Sequence, residues 1–182
     1  MKRKLVLVVL VAALLFGSTV TAGADVRLDV DVPWLLAAGL NLQNVTGSSG
    51  GVSVNLSNAH IPLPYIMLAY QSGDSFLRGG VGIRTYTVLV EFFGWPMGYV
   101  EVSFDKLVLR AEVGGLALFA LGAFGNDLFV NHVPVISDFQ IGYQILPWLR
   151  LGAGVLVGAP VTNLSSNVWA AYVNARFTFD FK

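Results

Sequence analysis

A chain that is 55% hydrophobic and only 12% charged has to hide a great deal of apolar surface. Yet beyond residue 24 it has no apolar run of the roughly 20 residues that a membrane-crossing helix needs. In a bilayer core every backbone N–H and C=O must be satisfied without water. The alternative to a helix is therefore a closed β-barrel, in which neighbouring strands pair all of these groups. Such a wall leaves a period-two signature, lipid-facing apolar residues alternating with lumen-facing polar ones. At the end of the chain Ala171, Val173, Ala175, Phe177, Phe179 and Phe181 share one parity, while Asn174, Arg176, Thr178 and Asp180 share the other. A helical repeat cannot produce that stripe.

The start of the chain is of another kind. Lys2, Arg3 and Lys4 precede a twelve-residue apolar run, Leu5 to Phe16, and small residues follow as far as Ala22-Gly23-Ala24. This is the pattern of a secretory signal peptide, expected over residues 1–24 with cleavage after Ala24. Residues 25–182 are expected to form one domain. That part carries 8 Lys+Arg against 11 Asp+Glu, a formal charge of −3 spread along the chain, which gives no basic patch for a nucleic acid. With no cysteine there is no disulfide framework, no thiolate metal site and no lipidated cysteine.

The alternation recurs. Phe139, Ile141, Tyr143 and Ile145 oppose Asp138, Gln140, Gly142 and Gln144; after Leu146-Pro147-Trp148, Leu151, Ala153, Val155 and Val157 oppose Arg150, Gly152, Gly154 and Gly158. Val26, Leu28, Val30, Val32, Trp34, Leu36, Ala38, Leu40 and Leu42 lie on even numbers and Arg27, Asp29, Asp31, Asn41 and Gln43 on odd ones, a phase that continues through Pro33. Leu77, Val81, Ile83 and Thr85 oppose Arg78, Gly80, Gly82 and Arg84, and Gly94-Trp95-Pro96-Met97-Gly98 reads as a turn. Val100, Val102 and Phe104 oppose Glu101, Ser103 and Asp105, and the parity flips at Asp105-Lys106, as a tight turn requires, with a β-bulge as the alternative. The expectation is an all-β, transmembrane, antiparallel up-and-down barrel of eight strands near 26–40, 61–71, 77–91, 96–104, 107–121, 135–146, 149–158 and 168–181. Counting Val52, Val54 and Leu56 as a membrane strand would lead toward ten. Short turns near 72–75, 105–106 and 147 fall on one face, and the connections 41–60, 93–95, 122–134 and 159–167 on the other.

In this pattern the chain resembles the small outer-membrane barrels of diderm bacteria, the OmpA-type and OmpX-type domains, along all of residues 25–182. The resemblance implies residence in the bacterial outer membrane, contact with its lipids, and delivery by the barrel-assembly machinery. That machinery reads an aromatic last strand in the group; Phe177, Phe179 and Phe181 look like that signal, although Lys182 follows them.

Charged residues of lumen parity are Arg27, Asp29, Asp31, Arg78, Arg84, Glu101, Asp105, Arg110, Glu112, Asp138, Arg150, Arg176 and Asp180. An eight-stranded interior is just wide enough for side chains to fill. Opposite charges are therefore expected to pair as a structural lumen network, centred on Arg84, Glu101, Arg110, Glu112, Asp138, Arg150, Arg176 and Asp180. Trp34, Trp95, Tyr99, Trp148 and Trp169 are expected in interface girdles. Catalysis would need a nucleophile, a base and a group orienting it. The only histidines, His60 and His132, have no serine at two-residue spacing, and two distant histidines make no zinc site. No enzyme, cofactor or metal is expected. The functional expectation is a non-enzymatic barrel serving envelope integrity or surface contact through its loops. A porin-like small-solute channel and a soluble periplasmic lipid-binding calyx stand as alternatives.

Overall fold

The computed structural model describes residues 25–42, 52–88, 91–122, 125–129, 134–160 and 167–181. The expected signal peptide, His132 and the tips of the longer connections lie outside them. Eleven strand segments follow one another: β1 (Asp25–Leu42), β2 (Val52–Pro62), β3 (Tyr65–Gly73), β4 (Leu77–Val88), β5 (Glu91–Phe104), β6 (Leu107–Gly115), β7 (Leu118–Gly122), β8 (Gly125–Phe129), β9 (Pro134–Leu146), β10 (Leu149–Pro160) and β11 (Asn167–Phe181). They make eight staves. β3 and β2 pair in turn with the lower and upper parts of β1. β6 and β7 do the same along β5, and β8 turns back from β7 above β9. All pairings are antiparallel, and β11 closes the wall against β1 from Val26↔Phe181 to Asn41↔Asn167. The count is eight, not ten, because β2 extends a stave that the sequence places at 61–71.

Prolines mark the interruptions. Pro96 lacks a ladder donor and sits where the partner of β5 changes, between Gly94↔Phe119 and Met97↔Gly114. Across that gap the chain carries extra residues with left-handed backbone at Gly115 (φ 99°) and Leu116 (φ 67°), the mark of a bulge. The expected turn at 94–98 is thereby corrected: these residues run inside β5, and the hairpin joins Val88 to Glu91. Pro33 lies at the break between β2 and β3, where its carbonyl accepts the Leu63 N–H at 2.9 Å. The single parity expected from Val26 to Leu42 also fails. Leu35 pairs with Tyr172 and Ala37 with Ala171, so Leu36 is an extra residue. Beyond it Gly39 faces outward beneath Trp169.

The short turns fall where the sequence places them. Phe104↔Leu107 brackets Asp105-Lys106, with Asp105 at φ 55°, a conformation that Asp tolerates. Leu146↔Leu149 brackets Pro147-Trp148. Between β3 and β4, Asp74 accepts the N–H groups of Phe76 and Leu77, both at 2.8 Å. Those bonds hold its carboxyl below the usual carboxylate range. Paired residues followed round the wall from Arg27 through Ala69, Gly82, Met97, Gly114, Ile136, Gly158 and Val168 return to β1 at Leu40. The return point lies thirteen residues above Arg27, one of them the bulged Leu36. Such a stagger tilts the strands steeply.

The polarity is inverted relative to a water-soluble domain. Arg27, Asp29 and Asp31 are 0% exposed, while Phe139, Leu68 and Tyr70 are each 56% exposed. Inward glycines make room for the long interior side chains. A Cβ at Gly80 would come within 2.6 Å of both the Tyr70 carbonyl and the Tyr99 ring. At outward Gly98 the nearest atom would be 3.7 Å away. Gly80→Ala is therefore expected to cost about 1–3 kcal/mol through overpacking, and Gly98→Ala much less. Denaturant titrations in detergent micelles compare the two.

Candidate functional site

The alternation that points Leu, Ile, Phe and Val outward directs ten charged side chains from seven staves into the lumen. The buried set is Arg27, Arg84, Arg110, Arg150 and Arg176 with Asp29, Asp31, Glu101, Glu112 and Asp138. Among the described side chains, five positive groups meet five negative ones, so this buried set is neutral overall. Desolvating a charge costs several kcal/mol, tolerable only where each is paired and hydrogen-bonded.

Toward the short turns Glu101 is the hub. Arg150 donates to both its oxygens, at 2.9 and 3.1 Å, in the fork geometry that suits a carboxylate. Arg27 reaches it from β1 at 3.3 Å, and Arg110 at 3.4 Å. Gln71 accepts from the Tyr99 hydroxyl at 3.0 Å and donates to Asp180 at 2.9 Å. At the mouth Arg78 pairs with Asp180 at 3.4 Å, both about a third exposed.

At the middle level Asp29 accepts from Arg27 Nε at 2.8 Å, from Arg110 at 3.0 Å and from the Thr178 hydroxyl at 2.8 Å. The Arg110 guanidinium also lies 3.9 Å from the Tyr99 ring centroid, a cation–π contact that strengthens when water is excluded.

On the loop side the shared atom is the Tyr65 hydroxyl. It donates to Asp31 at 2.9 Å and accepts from Arg84 at 3.0 Å and from Arg176. Asp31 is held further by Arg176 Nε at 2.7 Å and by Asn174. Asp138 accepts from Arg84 at 2.8 Å, Tyr172 at 2.5 Å and Gln140 at 2.8 Å. Glu112 takes Arg84 and, at 2.5 Å, Arg110. Arg110–Asp29 crosses the lumen between staves on opposite sides, and Arg84–Asp138 joins staves three apart in the ring. Above this level Tyr86 stacks on Trp95, with ring centroids 5.2 Å apart, and packs against Tyr65 at 5.1 Å.

Of the sequence-derived network, Arg84, Glu101, Arg110, Glu112, Asp138, Arg150 and Arg176 lie buried together, and Asp180 stands at the mouth. Asp105 is exposed in its turn. Trp34, Trp148 and Trp169 are exposed, but Trp95 and Tyr99 are not girdle residues: both point inward, Tyr99 being 1% exposed. Tyr65, Gln71, Tyr172 and Asn174 were not singled out by charge, although Tyr65, Met67, Ala69 and Gln71 share one parity that the burial of β3 follows. Among the described residues no group of three or more His, Cys, Asp or Glu could hold a metal.

The class these observations define is a closed eight-stave β-barrel with a polar, charge-filled interior and an apolar exterior. No family model and no curated protein matches the chain. Among solved structures it is similar to the crystal structure of Neisserial surface protein A, at 15% sequence identity and a TM-score of 0.49, over 87% of this chain and 100% of that one.

Breaking the network from one side should cost more than removing a pair. Glu101→Ala leaves three arginines without their shared carboxylate and is expected to lose about 3–5 kcal/mol, with part recovered on adding Arg150→Met. Tyr65→Phe is expected to lose about 1–3 kcal/mol. Denaturant titrations of the folded barrel in detergent give these values.

Proposed function

We propose that the chain is a non-enzymatic outer-membrane barrel of a diderm bacterium, exported by a removable leader over residues 1–24. It contributes to envelope integrity or to surface contact through its loop side. The observation that carries this reading is the outward face. Ile66, Leu68, Val81, Ile83, Leu109, Phe139, Ile141, Leu151 and Val173 are each more than 40% exposed around a wall whose charges are turned inward. Water cannot solvate such a surface at low cost, and a bilayer can. A soluble lipid-binding calyx would need the reverse polarity.

Within that reading the membrane's lipids are the first partner. The last strand, ending Phe177, Phe179 and Phe181, is the segment offered to the barrel-assembly machinery during insertion. The ion pairs that cross the lumen favour a plugged stave barrel over a porin-like channel, because a conducting path would have to part buried, mutually satisfied charges.

Two measurements test this. In planar bilayers homogeneous protein is expected to show no sustained pore; steady porin-like conductance would overturn the plugged reading. Ile141→Arg, which puts a charge on the outward face midway along β9, is expected to cost about 2–4 kcal/mol in refolding titrations with lipid vesicles. A wild-type protein that stays folded and monomeric in water without detergent would overturn the membrane reading itself.

A further inference from the structure

At the loop side β2 rises from the wall with a bare edge. It pairs with β1 in unbroken register from Leu42↔Val52 to Ala37↔Ser57. On its other side β2 has no partner among the described residues. β4 flanks β3, the lower part of the same stave, but it ends at Val88, and the Thr87 N–H meets the Pro64 carbonyl at 3.5 Å. A free edge offers a row of N–H and C=O groups to any incoming strand, and proteins ordinarily guard it with charges, prolines or bulges. β2 has such guards only at its lower end, in Pro62 and in the register shift between Ser57 and Ile61. Residues 52–57 include no charge and no proline. The surroundings are nearly as neutral: stretches 41–60, 88–95, 116–133 and 159–169, which hold or connect the loop-side strand ends, contain only two formally charged residues, Glu91 and Asp127.

We propose that this edge pairs with the same edge of a second copy held in an apposed membrane, so that the barrel joins two surfaces through like molecules. The inference rests on the membrane and surface-contact reading above and names its partner. A repeating row of backbone groups is matched by another extended backbone. An antiparallel self-pair sets like charges near one another if the strand carries any, which is unfavourable; residues 52–57 carry none. In the register that centres Asn55 on its own copy, Ser53 stands opposite Ser57 and Val54 opposite Leu56. Self-pairing also fixes the direction of the partner. A two-fold axis along the membrane normal leaves both β2 strands rising the same way, so two barrels in one membrane cannot pair them antiparallel. An isologous antiparallel contact needs an axis across the strands, and that sets two loop sides face to face. With so few charges on each, little repulsion opposes the approach. One short ladder is weak, but many between the same two surfaces act together.

The test places charges at the centre of the self-pair. Wild type, Asn55→Lys and Asn55→Glu are each inserted into phosphatidylcholine vesicles, outward loop sides are verified with external protease, and clustering is followed by light scattering at low salt. Wild-type vesicles are expected to cluster. Each variant alone sets like charges opposite each other and is expected to stay dispersed, whereas mixing the two variant populations is expected to restore clustering. Residues 25–182 carry a formal charge of −3, so both variants remain net negative and bulk attraction does not account for such a rescue. Dispersed wild-type vesicles with loop sides outward, clustering that neither substitution alters, or a mixture that stays dispersed would overturn the proposal and leave the membrane reading standing. Failure of wild type to insert would overturn the membrane reading and the proposal with it.

Discussion

Everything in this structure depends on the mutual pairing of the charges buried in the lumen. A closed wall satisfies its own backbone, but alternation then forces every second side chain into a space without bulk water. Here that space holds five arginines and five carboxylates. An unpaired charge there would be prohibitively costly, so each is shared. Glu101 serves three arginines, Asp29 joins two arginines and a threonine, and the Tyr65 hydroxyl links an aspartate to two guanidinium groups. Because most partners sit on different staves, the same contacts fix the staves relative to one another.

The wall is shaped to admit this network. Long arginines need space, and inward glycines supply it: a side chain at Gly142 would collide with Arg150, and one at Gly154 with Tyr172. The bulge at Leu36 inserts an extra residue into β1, and the break between β6 and β7 puts extra residues where the partner of β5 changes. Prolines occupy places where a missing N–H does least harm. The network is asymmetric along the axis, with an Arg78–Asp180 pair about a third exposed at the turn side and stacked Tyr86 and Trp95 toward the loops.

The strand count, the closing strand and most of the interior charges were legible because they rest on parity alone, and parity survives wherever a strand is regular. It failed at irregularities. Pro96 between two glycines has the composition of a turn, and only the change of partner along β5 explains why it lies in a strand. Leu36 reverses the facing of β1 without any signal in residue type, since Leu35, Leu36, Ala37 and Ala38 are all apolar. Residue type alone suggests an interface for Trp95 and Tyr99, but aromatic rings serve equally well inside, where Tyr99 lies against Arg110. Polar partners such as Tyr65 and Gln71 are not marked by charge, being the neutral groups that complete the hydrogen bonds of the charged ones.

If the charge-filled interior faces away from a lipid-bathed exterior, alternation along a strand must read out as alternating lipid contact. A nitroxide scan of single-cysteine variants along β9, from Ser137 to Ile145 in bilayers, tests this directly. Collision with oxygen, which concentrates in lipid, should be high at Phe139, Ile141 and Tyr143 and low at Asp138, Gln140 and Gly142. The opposite phase, or no alternation, would contradict the account.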